Sequence, residues 1–291
     1  MIKRLRSSVS SHMRTAFIAA VFVSGCSTVP GIGRERINFM PAAQMSRLGG
    51  ESFASILKQR EVVETGVDVD RVQRIGRSVV RSARALYPEG DLPKNWEIVL
   101  IQDDTPNAFA LPGGRIGVHT GMVELAGDDD GLGIVIGHEV GHVLAQHSAE
   151  RMSQSLVLAG GLAVGSVALK DEDAKTQRLV LGAMGVGASL GVALPFSRLH
   201  ESEADELGLL IAANAGFDPR KAIGLWERMA AENSGRLEFL STHPLPTTRI
   251  ADFERLMPAA MVVYRRAVGW FGGMPGPSPK RQHPRPSGRG C

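Results

Sequence analysis

The sequence contains only two cysteines, Cys26 and Cys291, among its 291 residues. Small domains that depend on disulfides carry many more cysteines, so a disulfide framework is excluded for this chain. Apolar residues make up 43% of the sequence, which is ample for a hydrophobic core at this length. We therefore expect one large or two small domains that are stabilised by side-chain packing.

Long, strongly hydrophobic runs are also scarce. The apolar run at residues 16–23 is too short to span a bilayer, and its position between basic residues and Ser24-Gly25 is typical of a secretory signal. Residues 152–169 and 179–197 carry no charge but are interrupted by glycines. For these two stretches we favour amphipathic or buried helices, with a helical hairpin in the membrane as the alternative.

The body of the chain has no excess of basic charge, although the whole sequence has a net charge of +3 and a pI near 9.1. The first 25 and the last 20 residues contain basic side chains and no acidic ones. The residues between them contain 25 basic and 30 acidic side chains, a net charge of −5. Because nucleic-acid binding requires a basic surface, we expect no nucleic-acid partner.

The most informative stretch is His138-Glu139-Val140-Gly141-His142, which lies in an apolar run at residues 131–145. Positions four apart share one face of a helix, so the two imidazoles can bind one metal ion. A glutamate beside that ion can take a proton from zinc-activated water, which is why this pattern indicates metallopeptidase chemistry. The pattern alone would arise by chance in about one in a hundred chains of this length. Its apolar surroundings strengthen the metal interpretation, because buried histidines need polar partners.

A third metal ligand is offered by Glu201-Ser202-Glu203-Ala204-Asp205, which begins 59 residues after His142. Glu201 and Asp205 share a helix face, so one of them can bind metal while the other accepts a hydrogen bond from a ligand imidazole. An acidic, solvated helix start is the alternative interpretation. His147 and His200 are rival ligands in principle, but the spacing of His147 from His142 turns it off the shared face.

These motifs, together with His243-Pro244 and Arg249, resemble the M48 family of zinc metallopeptidases over residues 107–249. The resemblance implies a zinc endopeptidase. It implies that His138, His142 and Glu201 are the zinc ligands and that Glu139 is the general base. It implies that Asp205 supports a ligand and that Arg249 gives oxyanion or structural support. His243 is implied to lie near the metal, as an oxyanion stabiliser or a resting-state ligand.

Val23-Ser24-Gly25-Cys26 resembles a bacterial lipobox, in which processing leaves a lipidated Cys26 at the N-terminus. Ser27, which follows Cys26, favours the outer membrane as the location, because an aspartate there would resemble an inner-membrane retention signal. An ordinary signal peptide with an incidental cysteine is the alternative. With the metal motifs, the chain resembles the bacterial periplasmic lipoprotein branch of M48, whose members act in envelope protein quality control.

We predict an α+β, mainly helical fold: a zincin-like catalytic domain with a small β-sheet, a hairpin and an H-E-x-x-H helix. The hairpin is expected at residues 107–118, with its turn at Pro112-Gly113-Gly114. Its second strand (Arg115, Ile116, Gly117 and Val118) could hold an extended substrate by main-chain hydrogen bonds, or it could simply pack in the hairpin. The predicted organisation is a lipoprotein signal peptide at 1–25, a tether at 26–40, the metallopeptidase domain at 41–271 and a disordered tail at 272–291.

The predicted function is a zinc-dependent endopeptidase of the bacterial cell envelope with one Zn²⁺ per chain. Its expected partners are misfolded or unassembled envelope proteins as substrates, and the membrane through a lipid anchor. The expected location is the periplasmic side of the outer membrane. The alternative is an assembly or chaperone factor for envelope proteins, whose latent metal site is plugged by His243.

Overall fold

The computed structural model describes residues 26–158, 197–231 and 249–269, together with Phe239 and His243. The predicted signal peptide, the predicted tail and most of both uncharged stretches lie outside these residues. Among the helices within these ranges, none is long and apolar enough to cross a membrane.

The described residues form a mainly helical α+β fold, as predicted. The helices are α1 (Ala42–Gln59), α2 (Val67–Leu86), α3 (Thr120–Ala126), α4 (Asp129–Leu144), α5 (His147–Leu158), α6 (Arg198–Asn214), α7 (Lys221–Ala231) and α8 (Arg249–Ala267). The strands are β1 (Cys26–Thr28), β2 (Glu35–Ile37), β3 (Val62–Val63), β4 (Glu97–Ile101), β5 (Ala108–Leu111) and β6 (Arg115–His119).

Four strands form one mixed sheet in the order β3-β4-β6-β5. The predicted hairpin is present as β5 and β6, and its turn uses Gly113 and Gly114 at φ 88° and 82°, where glycine avoids the steric penalty of a side chain. Strand β6 pairs in parallel with β4 on one side and antiparallel with β5 on the other. Because both of its edges are hydrogen-bonded, β6 cannot receive a substrate strand. The substrate-strand interpretation of Arg115–Val118 is therefore wrong, and the structure agrees with the alternative, packing in the hairpin.

The N-terminal part of the predicted tether is a folded hairpin. Strands β1 and β2 pair antiparallel, and Val29 in the turn is only 1% exposed. Arg36 on β2 donates hydrogen bonds to the carbonyl oxygen of Ala145 and to the side chain of Gln146. The prediction of a tether is therefore wrong for residues 26–37, which dock on the helical body. Cys26 is the first residue of β1, and its lipidation stays a prediction.

Helix α4 is the buried centre of the fold. Asp128 caps it by accepting a hydrogen bond from the backbone N–H of Gly131 at 2.9 Å. Asp129 in the first turn stabilises the positive end of the helix dipole and pairs with Arg71 and Arg74 of α2 at 2.7 and 2.6 Å. Nearly every later residue of α4 is buried, so its polar side chains must find partners inside the protein.

Helices α4 and α6 approach closely because glycines line their contact. A Cβ atom added to Gly208 of α6 would lie 2.6 Å from the backbone nitrogen of His138, and one added to Gly137 would lie 2.7 Å from the carbonyl oxygen of Gly208. A Cβ on Gly141 would meet the carbonyl oxygen of Ala204 at 2.9 Å. This backbone contact brings the two metal-binding motifs together.

The chain turns sharply between α4 and α5. Gln146 has φ 52°, the only left-handed backbone conformation of a non-glycine residue within the described part of the chain. Its side-chain oxygen accepts hydrogen bonds from Arg36 at 3.1 Å and from Asn38 at 2.6 Å. Hydrogen bonds from the N-terminal segment thus stabilise the turn between the end of α4 and the start of α5 at His147.

Candidate metal centre

Four buried side chains converge between α4 and α6. His138 and His142 come from α4, and Glu201 comes from the first turn of α6. His243 lies between α7 and α8 in the sequence. One donor atom from each lies within 4.8 Å of the other three. The structure therefore brings together the three predicted ligands and His243.

The spacing of these atoms fits a tetrahedral zinc ion. Ligands at 2.0–2.1 Å from zinc would lie about 3.3 Å from one another. The Nε2 atoms of His138 and His142 are 3.0 Å apart, and each lies 3.5 Å from a carboxylate oxygen of Glu201. The Nδ1 atom of His243 lies 3.3 Å from His138 Nε2 and 3.0 Å from Glu201 Oε1. Imidazole nitrogens and a carboxylate are also the donor types that zinc prefers.

Asp205 supports His138 from behind. The Nδ1 atom of His138 lies 2.9 Å from Asp205 Oδ1, which orients the ring so that its Nε2 faces the cluster. Arg249, at the start of α8, donates to Asp205 at 2.6 Å and to Glu201 at 3.3 Å. Its guanidinium carbon lies 3.6 Å from the ring centre of Trp226, a cation–π contact that fixes the arginine. Arg249 thus holds the carboxylates of Asp205 and Glu201, which fits the predicted structural support. An oxyanion role for Arg249 stays a prediction.

Glu139 lies beside the cluster, and one of its carboxylate oxygens accepts no hydrogen bond from the described residues. The backbone N–H of Ala110 on β5 hydrogen-bonds its carboxylate, whereas Oε1 is buried and has no hydrogen-bond partner among the described residues. The Nε2 atom of His243 lies 3.5 Å from that oxygen. Burial raises the pKa of Glu139, and the neighbouring histidines offset part of this rise. A carboxylate with a raised pKa and an oxygen that accepts no hydrogen bond is suited to accept a proton.

The ionisation of the donors also suits a metal. Burial lowers the pKa of His142 far below its usual value, so its imidazole is neutral and has a lone pair to offer. Burial would raise the pKa of Glu201, but His243 and the two ligand histidines together hold it well below the usual range. For His138 burial is outweighed by Asp205 and Glu201, whose hydrogen bonds raise its pKa to about 9. Metal binding at neutral pH must therefore displace a proton from the His138 side of the cluster.

His147 is a member of the site that the sequence analysis set aside. Its Nδ1 atom lies 2.8 Å from Nδ1 of His142, and its Nε2 atom lies 2.9 Å from Oε2 of Glu203. His147 is not part of the four-residue metal cluster, as its spacing from His142 predicted. Its contact with His142 arises because α4 ends before His147 and the turn at Gln146 redirects the chain. His200 stacks on His147 at 4.4 Å between ring centres and does not belong to the metal cluster.

A cavity of about 730 Å³ opens beside the centre. Its wall includes His142, Ala110 of the edge strand β5, and Met40 and Met45 around the start of α1. The cavity therefore connects the metal cluster with the sheet edge, as a substrate cleft would.

A buried cluster of two histidines and a glutamate beside a carboxylate base defines the site of a zinc-dependent hydrolase. The sequence model of peptidase family M48 matches residues 68–257, and the chain belongs to this family. The prediction of an M48 zinc metallopeptidase is confirmed.

Curated relatives support the same class. The chain is 40% identical over 182 residues to the mitochondrial metalloendopeptidase OMA1 of Schizosaccharomyces pombe, covering 62% of this chain and 52% of that protein. It is 31% identical over 264 residues to the mitochondrial metalloendopeptidase OMA1 of Arabidopsis thaliana, covering 84% and 52%. It is 25% identical over 256 residues to the β-barrel assembly-enhancing protease of Escherichia coli, covering 86% and 51%. The chain thus spans about half the length of these relatives.

These relatives contradict the predicted location. The proteins with 40% and 31% identity are mitochondrial enzymes, whereas the bacterial protease is more distant at 25%. The prediction of a periplasmic, outer-membrane location is therefore wrong, and assignment to the bacterial lipoprotein branch is not supported.

Proposed function

We propose that the chain is an endopeptidase that binds one zinc ion and cleaves unfolded or misassembled proteins. The observation that carries this proposal is the convergence of four buried donors beside Glu139, whose Oε1 atom accepts no hydrogen bond from the described residues. Membership of peptidase family M48 supports it.

His138, His142 and Glu201 would hold the zinc ion. The ion would supply a Lewis acid that polarises the scissile carbonyl and makes water more acidic. Glu139 then removes a proton from water through its free oxygen and delivers that proton to the leaving amine. Asp205 hydrogen-bonds His138, and Arg249 hydrogen-bonds Glu201. These contacts would keep both zinc ligands in place during the reaction.

We assign substrate binding to β5, in place of the predicted strand β6. Strand β5 forms one edge of the four-stranded sheet, with β6 as its hydrogen-bonded neighbour among the described strands. Its Ala110 contacts both Glu139 and the cavity beside His142. An extended segment that adds to β5 would pass the metal cluster, and unfolded chains supply extended segments more readily than folded proteins do. This geometry favours unfolded chains as substrates.

His243 supports a second candidate function, a latent form that binds client proteins without cutting them. A catalytic zinc site needs an open position for water or substrate, and Nδ1 of His243, at 3.3 Å from His138 Nε2 and 3.0 Å from Glu201 Oε1, is close enough to these donors to occupy it. In this form His243 must move away before hydrolysis begins. Replacing His243 by alanine would then increase cleavage, whereas loss of cleavage would indicate a role for His243 in the reaction itself.

Cleavage of an unfolded protein tests the proposal. The full chain, a Glu139→Gln variant and a Glu97→Gln control are incubated with casein and with lysozyme in its native and reduced forms. Glu97 is exposed on β4, so its replacement controls for the loss of one carboxylate. Zinc content is measured in all three proteins.

We expect cleavage of casein and reduced lysozyme by the unmutated chain and the control, and none by Glu139→Gln with equal zinc content. Cleavage by Glu139→Gln would contradict the assigned base. Zinc-loaded protein without cleavage in any variant would favour the latent form.

A further inference from the structure

We propose that His147, Glu203 and Arg34 form a positioning relay that fixes His142 as a zinc ligand from behind. These residues come from α5, α6 and the N-terminal hairpin, so the relay links three separate parts of the fold to one ligand. The inference rests on the proposed zinc site and adds residues that bind neither metal nor substrate.

The relay is a continuous line of contacts. His142 Nδ1 lies 2.8 Å from His147 Nδ1, and His147 Nε2 lies 2.9 Å from Glu203 Oε2. Arg34 donates to both oxygens of Glu203, at 3.0 Å in the contact from Nη2. Both histidines and Glu203 are at most 4% exposed, so water cannot replace these partners without rearrangement.

The proton positions in this line are determined by what each atom can do. A neutral imidazole has one donor nitrogen and one acceptor nitrogen. If His142 offers the lone pair of Nε2 to a metal, its Nδ1 carries the proton and donates to His147 Nδ1. The proton of His147 must then lie on Nε2, where it donates to the Glu203 carboxylate. Arg34 is a permanent cation and keeps Glu203 as an acceptor.

The two ligand histidines are therefore supported in the same way. His138 has a carboxylate and an arginine behind it, Asp205 and Arg249. His142 has the same carboxylate–arginine pair, Glu203 and Arg34, with one imidazole inserted. A carboxylate behind a ligand histidine fixes the ring orientation and makes its free nitrogen a better donor, and its loss typically lowers metal affinity about 10- to 100-fold.

Zinc affinity of relay variants in the full chain tests this inference. His147→Leu removes both contacts of the imidazole, and His147→Gln keeps one acceptor and one donor. Arg34→Met acts at the far end of the relay and guards against the case in which His147→Leu does not fold. Arg71→Met is the control for the loss of an arginine of similar exposure, 20% against 22% for Arg34. Arg71 pairs with Asp129, whereas Arg34 pairs with both Glu150 and Glu203. Zinc competition with a chromophoric chelator and the visible spectrum of the Co²⁺-substituted protein are measured, with apoprotein melting temperature as the folding check.

We expect His147→Leu and Arg34→Met to lower zinc affinity at least about 10-fold and to change the Co²⁺ spectrum. His147→Gln should recover part of the affinity, and Arg71→Met should match the unmutated chain. If Arg34→Met and every folded His147 variant bind zinc within twofold of the unmutated chain, the relay is refuted. If the unmutated chain binds no zinc, the proposed function and the relay both fail.

Discussion

Replacing Gly208 by alanine should separate α4 from α6 and weaken the metal centre. The added Cβ would lie 2.6 Å from the nitrogen of His138 and 2.7 Å from its Cα, whereas ordinary contacts begin at 3.4 Å. Because these atoms belong to backbone, relief requires the helices to part by about 0.8 Å, and overpacking of this kind costs about 1–3 kcal/mol. The better helix propensity of alanine offsets about 1 kcal/mol. The expected net loss in the free energy of unfolding is therefore about 1 kcal/mol, within a range of about 0–2 kcal/mol.

The assay is thermal unfolding of the apoprotein, followed by zinc titration. A loss of about 1 kcal/mol corresponds to a fall in melting temperature of about 2–4 °C for a domain of this size. Zinc affinity should also fall, since Glu201 and Asp205 move with α6. The control is Gly224→Ala on α7, where the added Cβ meets only the end of the Arg228 side chain, at 3.7 Å. Equal stability and zinc affinity in the two variants would refute the close-contact argument.

Three further predictions concern charge and metal. Removing zinc with a chelator should lower the melting temperature by about 10 °C when zinc was present at about 1,000 times its dissociation constant, which scanning calorimetry measures. Asp205→Asn should lower zinc affinity about 10- to 100-fold while all donors of the cluster remain, as chelator competition can check. Although burial would raise the pKa of Glu150, hydrogen bonds from His200 and Arg34 lower it from 4.5 to about 2. Its contribution to stability is therefore complete above pH 4.5 and is lost as the pH falls toward 2, so urea unfolding of Glu150→Gln should show a shallower loss over this range.

The parts of the site that could be predicted from the sequence are those set by local helix geometry. His138 and His142, like Glu201 and Asp205, are four residues apart, so each pair shares a face whatever the rest of the fold does. The apolar run around the first pair also indicated burial. These positions meet in the structure because glycine contacts between α4 and α6 bring their faces together.

The parts that were missed depend on contacts between distant segments. His147 belongs to the site only because the turn at Gln146 ends α4, and that turn is held by Arg36 and Asn38 of the N-terminal segment. The same segment is rich in glycine and proline, which favoured a tether. Its Gly31 and Gly33 instead have φ 76° and 77° in the turn of a docked hairpin. Strand order is likewise a long-range property, so the position of β6 between β4 and β5 could not be predicted from its own residues.

A crystal structure of the zinc-loaded full chain, with anomalous data on both sides of the zinc absorption edge, would test the assigned zinc ligands. We expect one anomalous peak per chain, bound by Nε2 of His138, Nε2 of His142 and a carboxylate oxygen of Glu201. A peak bound by other residues, or no peak in protein that contains stoichiometric zinc, would contradict the assignment of His138, His142 and Glu201 as zinc ligands.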